Sequence, residues 1–270
     1  MATIFDVQNV SFDYDGVPAL RNLTLQIEAG QQVALLGANG SGKSTLLRLL
    51  DALYFPSSGS LNFSGETLNR ERLQQDDFAF QFRRRVALVF QNPDVQLFNP
   101  TVFDEVAYGP LQMQWPTSEV VQQVNDTLNF MGISHLKDRP PYRLSGGEKK
   151  RVALASVIVL DPDVLLLDEP TATLDPRSQS QFIDLVQEWK NTSKTVITAT
   201  HQLDIVEDIA QTVFIMEAGS VAASGPSAEI LMNTDLLLKA NLVHAHRHTH
   251  DGVEHSHPHS HRHSHSDHRH

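Results

Sequence analysis

The feature that most constrains the fold is a glycine-rich turn between an apolar strand pattern and a helical one. Residues 37–44 read Gly-Ala-Asn-Gly-Ser-Gly-Lys-Ser and match the pattern G-x-x-x-x-G-K-[ST]. Glycines let successive backbone N–H groups turn inward around phosphate oxygens, and the following helix adds its positive N-terminal end. We call residues 37–44 the phosphate turn and expect it to hold the phosphates of a nucleotide.

Two side chains give the phosphate turn its predicted chemistry. Lys43 is expected to reach the terminal phosphates, and Ser44 to ligate Mg²⁺. The alternative is a glycine-rich turn without chemical consequence, which leaves the Lys-Ser pair in this context unexplained. The candidate nucleotide-binding residues of this stretch are Gly37, Ala38, Asn39, Gly40, Ser41, Gly42, Lys43, Ser44 and Thr45.

Short apolar runs that end in polar or glycine-rich turns predict a parallel sheet. These runs lie at 33–36, 86–90, 164–167 and 195–199. Because helical patterns separate them, the predicted fold class is α/β. The first 30 residues instead alternate apolar and polar positions around Asp15-Gly16, which is typical of antiparallel strands.

Two segments depart from this alternation. Residues 92–160 have no convincing strand pattern and are expected to form an inserted helical subdomain within a domain spanning 1–240. Residues 241–270 are expected to form a flexible tail, since 12 of the 14 histidines fall between His244 and His270.

Composition disfavours several classes of protein. Zero cysteines and no leader pattern argue against secretion, and the net charge of -11 disfavours a nucleic-acid partner. The apolar run from Val152 to Leu160 falls short of the ~20 residues that a membrane span requires. The expected location is the cytoplasm.

A second motif places two carboxylates after a buried strand pattern. Asp168 and Glu169 follow the apolar run 164–167, at the strand end where open α/β sheets bind ligands. Asp168 suits Mg²⁺ coordination through water, and Glu169 suits the general base that polarises an attacking water. The alternative is that Asp-Glu-Pro merely ends the strand.

A third motif, which we call the signature turn, precedes an apolar helical run. Its residues are Leu144, Ser145, Gly146, Gly147 and Glu148. The spacing of Ser145 and Glu148 also predicts a capping box. Both interpretations can hold, because a capped glycine-bearing helix start can also present amides to a phosphate.

These three motifs follow one another along the chain, and residues 1–235 resemble ATP-binding subunits of ABC transporters. The resemblance implies a P-loop NTPase (RecA-like) core, Mg²⁺-dependent ATP hydrolysis, and integral membrane subunits as partners at the cytoplasmic face of the membrane. It also implies a head-to-tail homodimer or heterodimer. In that dimer, ATP on Lys43 of one subunit is completed by Ser145 and Gly147 of the other.

The resemblance implies roles for four further residues. Gln91 matches the Q-loop residue that contacts Mg²⁺ or the attacking water, and His201 matches the switch histidine. Asp175 matches the D-loop, although it also suits a helix N-cap. Tyr14 matches the aromatic residue that stacks on adenine, and Phe12 is an alternative.

Two positions depart from the family pattern. Thr173 stands where many relatives have glycine or another small residue, and Gln202 follows the switch histidine where Asp is common. The first puts the fine geometry of the D-loop in doubt. Neither change removes a catalytic group.

The stretch after Gln91 resembles the energy-coupling-factor group of importers, in particular its cobalt and nickel branch. Residues 89–94, 96–98 and 101–110 carry this resemblance, and residues 144–153 are similar to the same group. It implies a groove that receives helices of a membrane subunit. Apolar residues there could equally be subdomain core, which their exposure would decide: Leu97, Phe98, Val102 and Phe103.

The histidine-rich tail, residues 241–270, gives a further indication of which ion is transported. Imidazole suits nickel, cobalt, zinc and copper, and an H-x-H spacing lets several rings gather around one ion. The candidate ligands are His244, His246, His248, His250, His255, His257, His259, His261, His263, His265, His268 and His270. An expression tag and a solvated tail dispensable for transport are the alternatives.

The predicted function is ATP-driven uptake of nickel or cobalt. Zinc or a vitamin remains an alternative cargo. A soluble ABC ATPase of DNA repair or translation, and a metal-storage protein, are the rival functions.

Overall fold

The computed structural model describes residues 2–172, 174–190, 192–250 and 253–259, with the backbone alone at 190 and 244–259. Thr173 lies outside these residues, as do His261, His263, His265, His268 and His270. The strands are β1 (Thr3–Tyr14), β2 (Val17–Glu28), β3 (Gln32–Leu36), β4 (Ser58–Phe63), β5 (Glu66–Thr67), β6 (Val86–Val89), β7 (Val164–Asp168), β8 (Thr195–Thr200), β9 (Thr212–Glu217), β10 (Ser220–Pro226), β11 (His244–His250) and β12 (Val253–His259).

The helices follow the same order along the chain. They are α1 (Lys43–Leu50), α2 (Arg70–Leu73), α3 (Asp76–Arg85), α4 (Val102–Gln112), α5 (Thr117–Phe130), α6 (Gly146–Ile158), α7 (Pro176–Lys190), α8 (Val206–Ile209), α9 (Ser227–Met232) and α10 (Thr234–Lys239). Short 3-10 turns lie at Pro93–Val95, Ser134–Leu136 and Pro141–Arg143. No helix of the described residues is long and apolar enough to cross a membrane.

The N-terminal strands form an antiparallel sheet in the order β2-β1-β4-β5, as the alternating pattern predicts. Asp15 and Gly16 make the two-residue turn between β1 and β2, both with positive φ (49° and 85°). This is the backbone of the hairpin turn whose twist matches that of the strands.

The central sheet has six strands in the order β10-β9-β3-β8-β7-β6. Its five strands from β9 to β6 run parallel, and β10 pairs antiparallel at one edge. Every residue of β3, β6, β7 and β8 is buried, which fits the apolar runs that these strands contain. The parallel register brings the carboxyl ends of these four strands to one edge, where the phosphate turn, Gln91, Glu169 and His201 follow them.

Helices alone occupy the described chain between 92 and 160, in agreement with the helical segment predicted there. In α5, Val120, Val124 and Leu128 are buried at the i, i+4 and i+8 spacing of an apolar helix face. They pack into one core with Val106 of α4 and Val152 of α6.

The last described segment is a backbone hairpin. After the buried Val243, β11 and β12 pair antiparallel with His244 opposite His259. The predictions that the tail is flexible and binds a transition metal stay predictions.

Candidate functional site

The phosphate turn is built so that only glycine fits at two of its positions. Gly42, at the N-cap of α1, has φ 104°, and a Cβ there would lie 2.7 Å from Leu20 Cδ2 and 2.9 Å from Ala19 O. A Cβ on Gly37 would lie 2.5 Å from Met216 O. The motif glycines therefore allow both the backbone conformation and close packing against neighbouring strands.

Lys43 lies at the centre of this turn and is 5% exposed. Its Nζ donates to the carbonyl oxygens of Gly37 at 2.6 Å and Ala38 at 3.2 Å. Burial lowers the pKa of Lys43, and the nearby carboxylates of Glu169 and Asp168 partly oppose this. The predicted phosphate-binding ammonium is thus held inside the turn by the turn's own backbone.

Ser44 and Asp168 come together across two elements. The Ser44 hydroxyl on α1 donates to Oδ1 of Asp168 at the end of β7, at 2.9 Å. Burial raises the pKa of the Asp168 carboxyl, and the hydroxyl of Ser44 opposes that shift.

This hydroxyl and carboxylate fit Mg²⁺, which prefers oxygen ligands and takes few from the protein when phosphates and water supply the rest. Among the described residues, no three His, Cys, Asp or Glu side chains gather to form a metal site. Such a cluster is not needed for Mg²⁺ that is held largely by nucleotide phosphates.

Glu169 is a buried carboxylate with one engaged oxygen and one free oxygen. Oε1 lies 2.8 Å from Nδ1 of His201 and 3.7 Å from Nζ of Lys43. Oε2 is buried and has no hydrogen-bond partner among the described residues. The backbone is left-handed at this position, with φ 46°, a costly conformation for a non-glycine residue. A buried carboxylate oxygen without a partner is suited to accept a proton from a water.

The structure brings five predicted residues together and leaves Gln91 apart. Lys43, Ser44, Asp168, Glu169 and His201 form the connected set described above. Gln91 follows β6 at the same edge of the sheet, but its side chain is exposed and makes no hydrogen bond with a described residue.

Tyr14 occupies the rim of this site. Its hydroxyl lies 3.3 Å from Thr45 Oγ1 and 3.3 Å from Nη1 of Arg48, both on α1. The ring of Phe12 is stacked on Tyr54 at 5.3 Å and packs against the N-terminal core. Of the two candidate aromatic residues, Tyr14 is therefore the one fixed beside the first turn of α1.

The signature turn forms the expected capping box at the start of α6. The Glu148 carboxylate accepts from Ser145 N at 2.7 Å and from Ser145 Oγ at 2.8 Å, and these bonds lower the pKa of Glu148. Ser145 and Gly146 are exposed, whereas Leu144 is buried. No hydrogen bond between described residues links this turn to the phosphate turn.

Asp175 fulfils the helix-capping role that its position predicts. It accepts from Ser178 N at 3.0 Å and from Ser178 Oγ at 2.7 Å, and these bonds lower its pKa. It thereby caps the first turn of α7. The D-loop role remains an expectation.

The apolar residues after Gln91 differ in exposure, which divides them into core and surface residues. Val102 is fully buried, and Leu97 and Phe103 are partly buried against the core. Phe98 is 67% exposed and meets Tyr108, itself 42% exposed, edge to face at 5.0 Å. Three of the four residues thus belong to the core in whole or part, and Phe98 belongs to an exposed apolar surface.

Sequence reasoning missed two sets of contacts around the turn after Glu169. Lys150 Nζ donates to the backbone oxygens of Glu169 at 3.2 Å and Pro170 at 3.1 Å, and also to that of Ala172. Thr171 Oγ1 donates to Oε1 of Gln202 at 2.5 Å. Gln202 departs from the family pattern and could have been singled out from the sequence, but its contact with Thr171 could not.

Known proteins similar to this chain share both its sequence and its fold. The family described as ABC transporter matches residues 20–172. The nickel import ATP-binding protein NikO of Rhodobacter capsulatus is 52% identical over 90% of this chain and 97% of its own length. The energy-coupling factor transporter ATP-binding protein EcfA of Methanothermobacter thermautotrophicus is 38% identical over 88% of this chain and 76% of its own length.

A solved structure is also similar to this chain in fold. CbiO1 from Clostridium perfringens, described as part of the ABC transporter complex CbiONQ, superposes with a TM-score of 0.76 at 38% identity. The match covers 90% of this chain and 96% of that one. These relatives confirm the resemblance to the energy-coupling-factor group, and one of them is described as a nickel import protein. The chain therefore belongs to the family of ABC-transporter ATP-binding subunits and is an ATPase.

Proposed function

We propose that this chain powers the import of nickel or cobalt as the ATP-hydrolysing subunit of an energy-coupling-factor-type transporter. The observation that carries the cargo is the 52% identity to a nickel import protein over nearly that protein's whole length. The subunit works at the cytoplasmic face of the membrane with separate membrane subunits.

In the proposed mechanism, the phosphate turn and Lys43 hold the phosphates while Tyr14 stacks on the base. Ser44, Asp168 and Gln91 would hold Mg²⁺, which when bound would supply positive charge that offsets the charge developing in phosphoryl transfer. Glu169 accepts a proton from the attacking water through its free oxygen. His201, 2.8 Å from the other oxygen, fixes the carboxylate.

A second copy of the chain, or a related subunit, completes the site. The exposed Ser145 and the half-buried Gly147 at the start of α6 would face the ATP of the partner, and Asp175 would lie at the same interface. The direction of α6 supports this proposal, because an exposed helix N-terminus favours an anion in front of it.

The exposed apolar surface of Phe98 and Tyr108 is where we propose that a membrane subunit docks. Val95 and Leu111, in the same segment of the chain, are also exposed, at 68% and 51%. Such a surface is costly in water and is a feature of interaction sites.

The histidine tail is proposed to bind the transported metal or a related ion. Binding would require neutral imidazole rings and so weaken below pH ~6.5. By ligand chemistry alone the tail would hold copper and zinc as well as nickel and cobalt.

The hydrolysis mechanism is tested by Glu169→Gln. We expect turnover to fall roughly 10²- to 10⁴-fold, as for loss of a general base, with ATP binding retained. The matched control is Glu119→Gln, an exposed carboxylate in the first turn of α5. Normal turnover of Glu169→Gln would reject the assignment.

The cargo is tested separately, by reconstituting the complete transporter in vesicles. ATP-dependent uptake of nickel, cobalt, zinc and a vitamin would be compared, with Lys43→Ala as the inactive control. Nickel or cobalt uptake that stops in this control supports the proposal. Vitamin or zinc uptake without nickel or cobalt would reject the cargo and leave the ATPase assignment intact.

A further inference from the structure

The turn that carries Glu169 is attached to the helix that begins at the signature turn, and one side chain makes the attachment. Lys150 lies in the second turn of α6, five residues after Ser145. Its Nζ lies 3.2 Å from Glu169 O and 3.1 Å from Pro170 O, and it also donates to Ala172 O. Three carbonyl groups of one short turn therefore converge on one ammonium.

The chemistry of the group matches this arrangement. A lysine ammonium has three N–H donors and no acceptor, so three carbonyl oxygens satisfy it completely. Burial lowers the pKa of Lys150 to about 8, while the negative charge of Glu169 opposes that shift. Charge-assisted hydrogen bonds of this kind are roughly twice as strong as neutral ones, which makes the contact a firm link between helix and turn.

The same turn also contacts the segment that carries His201. Thr171 Oγ1 donates to Gln202, the residue after His201. The start of α6 also packs on the start of α7, since a Cβ on Gly147 would lie 3.2 Å from Ser178 Oγ. Residues 169–172 thus contact α6 through Lys150 and the His201 segment through Thr171.

We propose that Lys150 is a positioning residue that sets the backbone of Glu169 according to the position of α6. Movement of the signature turn is transmitted through the Lys150 ammonium to the three carbonyl groups, and so to the catalytic carboxylate. Engagement of α6 by the ATP of a second copy then aligns Glu169 in the first copy. This role rests on the proposed function of Glu169 as general base.

A purely structural role for Lys150 would give different behaviour. Loss of a packing contact would lower the melting temperature and the amount of folded protein, and would reduce any residual activity by the same factor. A positioning role lowers kcat through Glu169 alone. Nucleotide affinity stays unchanged because Lys150 contacts none of the residues of the phosphate turn.

The test uses the full chain, at a concentration high enough for self-association, with Lys150→Met, Glu169→Gln and the double variant. We expect Lys150→Met to lower kcat at saturating Mg-ATP at least tenfold, with KM and the Kd of a fluorescent ATP analogue within twofold. In the Glu169→Gln background, the same change lowers single-turnover hydrolysis less than twofold, because residues that act as a unit are not additive.

The matched control is Lys194→Met. Lys194 also donates to a backbone carbonyl group, that of Pro162 at 2.8 Å, away from the site residues. Its kcat should stay within twofold of the unmodified chain.

Unchanged kcat in Lys150→Met would overturn the inference, as would equal losses in both backgrounds. If Glu169→Gln itself kept normal turnover, the proposed role of Glu169 would fail instead. The two failures are therefore distinguishable.

Discussion

The phosphate turn and the signature turn both contain glycines at the start of a helix, but they differ in burial and in the side chains that hydrogen-bond to their backbone. The first is buried around Lys43, whose ammonium bonds to the carbonyl oxygens of the turn. The second is exposed and capped by its own Ser145 and Glu148. The proposed phosphate site of the first turn lies within one chain, whereas the second turn has exposed residues at its helix start, as the proposed head-to-tail dimer would need. The comparison predicts that damage to the first turn removes nucleotide binding, and damage to the second removes only hydrolysis.

The largest expected effect comes from Gly42→Ala in the phosphate turn. Overlap with Leu20 and Ala19, added to the strain of a positive φ, should cost about 2–5 kcal/mol locally and weaken ATP binding more than tenfold. Gly40→Ala is the matched control, since its φ is also positive but a Cβ meets nothing within 4 Å. It should cost about 1–2 kcal/mol. Thermal unfolding and ATP titration measure both, and equal effects would contradict the packing argument.

A smaller effect on stability, with a clear effect on turnover, is expected for Gly147→Ala in the signature turn. The added Cβ approaches only the side chains of Ser178 and Leu174, at 3.2 Å and 3.8 Å, and these can move. We expect ATP affinity of the chain within twofold and kcat reduced at least tenfold. Gly146→Ala, where a Cβ meets nothing within 4 Å, is the control. A loss of ATP affinity like that of Gly42→Ala would remove the distinction between the turns.

The smallest effect on the stability of the fold is expected for Ser145→Ala. Loss of the cap should lower stability at pH 7 by about 1 kcal/mol. The bonds from Ser145 lower the folded-state pKa of Glu148, so their contribution is present above the ordinary value of 4.5 and is lost as the pH falls through the lowered value. The stability difference should therefore narrow below pH 4.5.

Urea unfolding at pH 7 and pH 4 measures this difference, with Ser118→Ala, an exposed serine of α5, as the control. A difference that stays constant between the two pH values would show that Glu148 takes no part in the cap.

Much of the fold and site was predictable because parallel strands gather their carboxyl ends at one edge. Once β3, β7 and β8 were recognised as apolar runs, Lys43, Glu169 and His201 had to lie near each other. The exposure of Phe98 was not predictable, because the spacing of apolar residues alone does not separate core from surface in a helical segment.

The contacts of the turn after Glu169 could not be predicted either. Lys150 stands in a run of three basic residues whose sequence pattern fits an exposed helix face. Its bonds to three carbonyl groups depend on how α6 packs on a turn 19–22 residues away. Thr171 and Gln202, 31 residues apart, meet for the same reason. Contacts between segments that are distant in the sequence have no local sequence pattern, unlike the helix caps at Ser145 and Asp175.

The left-handed backbone at Glu169 has a consequence for the evolution and engineering of this chain. At φ 46°, glycine or asparagine would suit folding better than glutamate. Selection for thermostability alone would therefore favour replacing the residue on which hydrolysis is proposed to depend. A library screened only for folded yield would enrich inactive proteins at this position, an instance of the trade-off between stability and activity.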